Sequence, residues 1–379
     1  MKRRMGSILA VLVLVGIVLS AAAVQHRPPD AFEQAKKLGK GVNLGNALEA
    51  PKEGDWGVVL QEHYFQRIRE AGFDTVRVPI KWSAHAGHEP PYAIDEAFFR
   101  RIDWVVDQAL KYKLNVVINM HHYDEIYQDP DSHRDRFIAM WEQIALRYRN
   151  KPDNVYFEPL NEPNGALDAD KWNELLRDVL KSVRNIDRRH TLVVGGTEWN
   201  SIPALLDLDI PAEERNIVVT FHLYEPHFFT HQGAEWMSAE YATTHVIWPG
   251  PPDTPLEPAA AARKALWARR WFRNYNHLPY EENPAGPKPI IELLDMAERW
   301  SRRHNRPLWM GEFGAYSKAD MQSRANWTAF VRAEAEKRGF SWAYWEFGAG
   351  FGVYDRTLQR FHEPLLRALI PESSGQPDE

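Results

Sequence analysis

The sequence predicts a (β/α)₈ barrel. Eight short apolar runs recur along the chain, with amphipathic segments of helical length between them. The runs are continuously apolar rather than alternating, the pattern of a parallel sheet covered by helices. With 379 residues there is room for the roughly 250 of such a barrel plus long insertions. In order, the strand candidates are 41–46, 75–80, 115–122, 154–160, 191–196, 216–221, 307–310 and 339–345. The spacing predicts helices over 62–71, 97–112, 136–149, 169–186 and 322–338, where apolar residues such as Phe98, Ile102, Val105, Val106 and Ala109 recur at helical spacing. A doubly wound open sheet is the competing architecture. It would carry a glycine-rich phosphate loop after an early strand, and neither G-x-G-x-x-G nor G-x-x-x-x-G-K-S/T occurs.

The connection between the sixth and seventh runs, 226–306, is far longer than the others. It holds a Trp-Pro-Gly-Pro-Pro turn at 248–252, an aromatic helical stretch at 264–275, a Pro/Gly-rich loop, and a crossover helix at 290–304. So long a connection tends to mark a binding loop. One catalytic domain is therefore expected over 36–370, followed by a polar tail at 371–379.

The N-terminus reads as a targeting segment. Lys2, Arg3 and Arg4 precede an apolar run from Ile8 to Leu19 and the small residues Ser20 to Ala23. A signal peptide over 1–23 is expected, with a retained anchor as the alternative, then a flexible lead-in over 24–35. Cleavage would remove three positive charges and take the formal charge from -6 to -9. The mature protein is expected to be secreted or periplasmic, without stable membrane association. The chain has no cysteine, which excludes disulfides, thiol catalysis and cysteine-based zinc sites. The acidic balance gives no footprint for nucleic acid. The 15 Trp, 14 Tyr and 17 Phe exceed what a core readily absorbs, so some are expected to line a cleft.

Barrel chemistry gathers at the carboxyl ends of the strands, and there the runs end in polar and aromatic residues: Asn46 and Glu49, Arg77, His121 and His122, Asn161 and Glu162, Glu198, His222 and Tyr224, Glu312, Trp345 and Glu346. Glu162 in L-N-E-P and Glu312 in M-G-E-F-G each follow an apolar run. Two such carboxyls cleave a glycosidic bond without a cofactor: one protonates the leaving oxygen, while the other attacks the anomeric carbon or activates water. Arg77 would hold a carboxylate ionised or form a structural ion pair. Asn161 would bind a sugar hydroxyl, and Trp345 offers a flat face for a sugar ring. His222 and Tyr224, two apart, would share a face around one carboxylate. His121 and His122, beside Asp124 and Glu125, invite a metal reading, but neighbours on a strand point to opposite faces and no H-E-x-x-H is present. No metal and no cofactor are expected.

Ile118 to Tyr123, Leu160 to Pro163, His222 to Tyr224 and Trp309 to Gly314 together resemble the cellulases of glycoside hydrolase family 5. The stretches 41–51 and 341–347 resemble in particular a bacterial branch of endoglucanases that also act on mannans. The resemblance spans about 36–354 and implies a retaining barrel enzyme. It places the acid/base on Glu162 and the nucleophile on Glu312, with Arg77, Asn161, His222 and Tyr224 in support. Asn46, Glu49, His121, His122 and Trp345 fall on substrate-binding positions. The expected activity is endo-β-1,4-glucanase by a monomer, with endo-β-1,4-mannanase or a dual specificity as the alternative. A non-catalytic carbohydrate-binding protein would explain the tryptophans, but it would not need both glutamates.

Overall fold

The computed structural model describes residues 29–372. The targeting segment expected over 1–23 lies outside the described residues, as does the expected tail from 373 on. Eight strands, β1 (Lys40–Asn43), β2 (Thr75–Val78), β3 (Asn115–Asn119), β4 (Val155–Glu158), β5 (Leu192–Gly195), β6 (Ile217–Leu223), β7 (Leu308–Phe313) and β8 (Ser341–Tyr344), pair in chain order. All neighbouring pairs are parallel, and β1 pairs with β8 through Lys40↔Trp342, Gly41↔Ala343 and Val42↔Tyr344. That last pairing closes the sheet and rules out the open architecture.

Side chains alternate across each strand, which splits the core in two. Residues such as Val76, Val78, Val116, Ile118, Val155, Phe157, Val219 and Phe221 face the surrounding helices. Val117, Tyr156, Val193, Val218, Trp309 and Ala343 fill the barrel interior. Fully burying each such Val, Ile or Phe contributes about 1.5–3 kcal/mol. The lower mouth is closed by helix Ala31–Leu38, whose Ala35 and Leu38 belong to the interior cluster. Of the flexible lead-in expected over 24–35, residues 31–35 are helical instead, and 24–28 lie outside the described residues. Asp30 caps the helix by accepting from Phe32 N at 2.8 Å, and Tyr156 Oη donates to Gln34 Oε1 at 2.8 Å.

Outside the barrel, helix Glu96–Lys111 buries Phe98, Phe99, Ile102, Val105, Val106 and Ala109, and Asp95 caps it by accepting from Phe98 N. Arg136 to Arg149 was expected as a helix; the element runs Pro130–Tyr148, starting earlier because Asp129 caps it and Pro130 suits its first turn. The long connection forms helices His227–Thr230, Ala260–Lys264 and Leu266–His277 before the crossover helix Pro287–His304. Gln232 clamps it internally, donating to Val246 O at 2.9 Å and accepting from Val246 N at 3.1 Å. Phe228 anchors it against Trp267, Trp271 and Phe272, with ring centroids 4.7–5.3 Å apart.

Candidate active site

The same alternation that fills the interior with apolar residues puts polar ones one step higher. Counting by two from interior positions gives Asn43 on β1, Arg77 on β2, Asn119 on β3, Glu158 on β4 and His222 on β6. All are buried. On β7 the count fails: Trp309 faces inward, so Glu312, three further on, should face the helices. A β-bulge corrects it. Phe221 pairs with Met310, but His222 pairs with Glu312, so Gly311 is an extra residue. A Cβ on Gly311 would lie 2.5 Å from Thr220 Oγ1, so any side chain there would have to push Thr220 aside. The bulge turns Glu312 into the barrel mouth.

Arg77 is the hub. Its Nε and Nη2 hold Glu158 at 2.7 and 2.6 Å, and Nη2 also donates to Asn161 Oδ1 at 2.7 Å. Its Nη1 donates to Asn43 Oδ1 at 2.9 Å and to Glu312 Oε1 at 2.6 Å. All five guanidinium N–H groups are thereby used. Burial works against the charge of Arg77, but Glu158 and Glu312 overcome it and hold the guanidinium protonated. The second oxygen of Glu312 accepts from Tyr224 Oη at 2.8 Å. Burial raises the Glu312 carboxyl, while His222 and Arg77 pull it back down.

Glu162 follows β4 by a short loop and takes a left-handed backbone, φ 48°. Its side chain keeps 25% exposure, whereas that of Glu312 keeps 5%. Burial pushes Glu162 up to about 7 against the pull of Arg77. His222 Nδ1 lies 2.7 Å from Glu162 Oε1 and 3.5 Å from Glu312 Oε2. Burial holds His222 down at about 4, so the imidazole is neutral near neutrality. One atom from each of these three residues falls within a 4.8 Å group. Ligand atoms around a tetrahedral ion at about 2.0–2.1 Å stand roughly 3.3 Å apart; the 2.7 Å His222–Glu162 contact is instead a hydrogen bond.

The far wall is aromatic. Trp345 stacks on His121, with centroids 5.3 Å apart and planes 7° from parallel. His122 packs edge-on against His121 at 4.7 Å and against the exposed Trp56 at 5.7 Å. The two histidines were expected on a strand, facing opposite ways; β3 ends at Asn119, so both rings turn to the same wall. Burial pushes His121 well below its ordinary range and His122 down to about 4, so this wall is uncharged. Asn119 Nδ2 meets His121 Nδ1 at 3.1 Å. Asn46, at φ 63°, stands half-buried after β1. Glu49, expected to meet substrate, sits on the loop after β1 beside Asn46. It is buried, its carboxyl accepts from the backbone N–H groups of Asn46 and Ala47, and burial raises it to about 8.

Of the rival carboxyls, Glu198 is exposed, and Glu346 is buried as an acceptor for the N–H groups of Gly348, Ala349 and Phe351. Sequence reasoning missed Asn43, Glu158 and the buried Asn200, whose Nδ2 lies 3.4 Å from His222 Nε2. The signal for Glu158 was its even spacing from Tyr156 within an apolar strand. A depression of about 800 Å³ on the flank, lined by Arg67, Tyr354, Arg360 and Glu363, contains none of these groups.

The profile of the cellulase family, glycosyl hydrolase family 5, matches residues 37–350. Endoglucanase H of Acetivibrio thermocellus is 32% identical over 348 residues, which are 90% of this chain and 34% of that protein. Endoglucanase 3 of Fibrobacter succinogenes is 28% identical, over 88% of this chain and 53% of that protein. The chain thus spans a third to a half of the length of these relatives. Among solved structures, Cel5A of Thermotoga maritima, seen in complex with mannotriose, is 47% identical with a TM-score of 0.79, covering 90% of this chain and all of that one. A hyperthermophilic endo-β-1,4-glucanase in complex with substrate is 41% identical with a TM-score of 0.80, covering 91% and 100%. The chain belongs to the cellulase family, glycosyl hydrolase family 5.

Proposed function

We propose that the protein is a retaining endo-β-1,4-glucanase. The observation that carries this reading is the spacing of the two glutamates: an oxygen of Glu162 and an oxygen of Glu312 lie within 4.8 Å of each other. Retention goes with carboxyls about 5–5.5 Å apart, inversion with roughly 6.5–9.5 Å. Their environments also divide the labour. Glu312, buried against Arg77 and Tyr224, suits the nucleophile. Glu162, more open and raised to about 7, suits the acid.

In the first step a Glu312 oxygen bonds to the anomeric carbon as the glycosidic bond breaks, and the Glu162 proton passes to the departing oxygen. In the second, Glu162, now a carboxylate, takes a proton from water. The resulting hydroxide adds to the anomeric carbon and displaces Glu312. Arg77 and Tyr224, one on each Glu312 oxygen, orient the attacking carboxylate and stabilise it as it is released. Trp345 stacked on His121 would give a flat wall for a sugar ring, and Asn161, whose Oδ1 accepts from Arg77 Nη2, would offer its amide N–H to a hydroxyl beside the broken bond.

The Thermotoga maritima relative has been seen with both cellobiose and mannotriose, which favours a second reading with mannan or glucomannan as co-substrates. Glucose and mannose differ at the 2-hydroxyl, so the choice rests on few hydrogen bonds. The apolar run after the basic N-terminus supports export, and no described helix is long and apolar enough to cross a membrane. We expect a monomer acting outside the cytoplasm. The test is digestion of glucomannan by wild type and Glu312→Ala, identifying the sugar at each new reducing end. Glucose ends from wild type and none from the variant are expected. Abundant mannose ends would move the protein to the mannan reading, and near-normal turnover by Glu312→Ala would discard the assigned nucleophile.

A further inference from the structure

We propose that Asn200 is a positioning residue, one that fixes the tautomer of His222 and thereby decides which oxygen of Glu162 carries the catalytic proton. The proposal rests on the acid role given to Glu162 above. After β5 the chain passes through Glu198, Trp199 and Asn200, all with left-handed backbones at φ 50°, 57° and 55°. L-residues adopt this region at a cost of about 1–2 kcal/mol each, asparagine least among those with a side chain. The effect of the turn is to swing the Asn200 side chain back into the barrel, where it is fully buried. There its Nδ2 lies 3.4 Å from His222 Nε2. Gly195 leaves room for it, since a Cβ there would fall 2.1 Å from Asn200 Oδ1 and 2.9 Å from Nδ2, and Oδ1 is buried with no hydrogen-bond partner among the described residues.

A neutral imidazole carries one proton on one of two nitrogens. With Nε2 accepting from the Asn200 amide, the proton must sit on Nδ1, which faces Glu162 Oε1 at 2.7 Å. The reversed amide would present Oδ1 and favour Nε2–H. That tautomer would tie up the Glu162 proton on Oε1 as a donor to Nδ1 in the first step, and in the second would aim an Nδ1 lone pair at the Glu162 carboxylate 2.7 Å away, a repulsive pairing. With Nδ1–H on Oε1, Glu162 holds its acidic proton on Oε2. The same bond stabilises the carboxylate when Glu162 acts as base in the second step. The charged and titratable groups around the imidazole are Glu162 and Glu158 from β4 and its loop, Glu312 on β7, Arg77 on β2 and His121 after β3. Asn200 contacts it as a neutral group, so its effect is on the proton's position rather than on the field.

The test uses Asn200→Gly, which suits the left-handed backbone while deleting the amide, and Asn200→Asp, which accepts but cannot donate. The substrate is one that wild type is shown to cleave. In Asn200→Gly, kcat is expected to fall about tenfold, a part of the roughly 10²–10⁴ a positioned acid supplies, with little change in KM. Its alkaline limb should move to higher pH as Glu162 loses the fixed donor. In Asn200→Asp the imidazole gains a second proton beside Glu162, and the limb should move to lower pH. A purely structural role would leave the limb unmoved in both variants and would overturn the proposal, as would unchanged activity. Nitrogen-15 NMR of the wild-type protein reads the tautomer without substrate. A protonated Nδ1 and bare Nε2 are expected, and a protonated Nε2 would overturn the inference even if the glucanase reading stands.

Discussion

Replacing Arg77 by methionine removes the one group on which three elements converge. Met is close in length and packs well, so the change deletes five hydrogen bonds and a charge with little cavity. What remains is Glu158 with 0% side-chain exposure and Glu312 with 5%. Removing one partner from a buried ion pair costs about 3–5 kcal/mol, because the other charge is left without compensation. At about 2–4 °C per kcal/mol for a large domain, the melting temperature should fall by roughly 6–20 °C. The deficit should depend on pH with a definite sign. The Glu312 carboxyl is already raised by burial, and Arg77 is among the groups holding it down. In the variant its folded-state pKa rises further above the unfolded value of about 4.3. Instability is then full above the raised pKa and recovers as pH falls towards the unfolded value. Urea unfolding of wild type and variant from pH 8 to pH 5 measures this. The added change Glu158→Gln should restore part of the loss by removing one stranded charge. A deficit below about 1 kcal/mol, or one that grows on acidification, would refute the hub role.

Gly311→Ala should cost about 1–3 kcal/mol by overpacking and reduce kcat severely, since its Cβ meets Thr220 Oγ1 at 2.5 Å where the bulge aims Glu312. The second change Thr220→Ala should recover part of both in thermal melts and assays. With Glu312 as the proposed nucleophile and Glu162 as the proposed acid, kcat/KM should rise as pH climbs through the Glu312 ionisation and fall again through about 7, to which burial pushes Glu162. In Glu162→Ala the alkaline limb should vanish from the pH profile. Aryl glycosides with good leaving groups should be slowed least in that variant, because they need little protonation.

Much of the fold was legible because a barrel strand buried on both faces leaves a continuous apolar run, and all eight runs fall on strands. What was not legible is parity. β6 extends two residues past Phe221 because the bulge at Gly311 keeps β7 in register with it, and a bulge leaves no trace in the sequence beyond a glycine. Glu312 drew notice from its place at the end of an apolar run; its inward direction depends on that bulge. Arg77 was weighed as support for the nucleophile or as a structural ion pair, and the geometry gives it both contacts, on Glu312 and on Glu158. Glu158 is hidden in the sequence, because a charge inside an apolar run has meaning only once the inner face is known. Asn200 was hidden more deeply, since three consecutive left-handed residues that fold a side chain backwards follow no periodic pattern. For Glu49 the sequence shows a carboxyl near the strand ends but not the bonds it accepts from the Asn46 and Ala47 N–H groups, which brace its loop.

The pairing of Glu162 and Glu312 as acid and nucleophile is tested most directly by the configuration of the first product. Proton NMR of a β-1,4-linked oligosaccharide digest, recorded within the first minutes before mutarotation, shows which anomer is released. The close carboxyl pair requires the β-anomer at the new reducing end, with the α-signal growing only later. First release of the α-anomer would mean a single displacement by water and would contradict a nucleophilic Glu312.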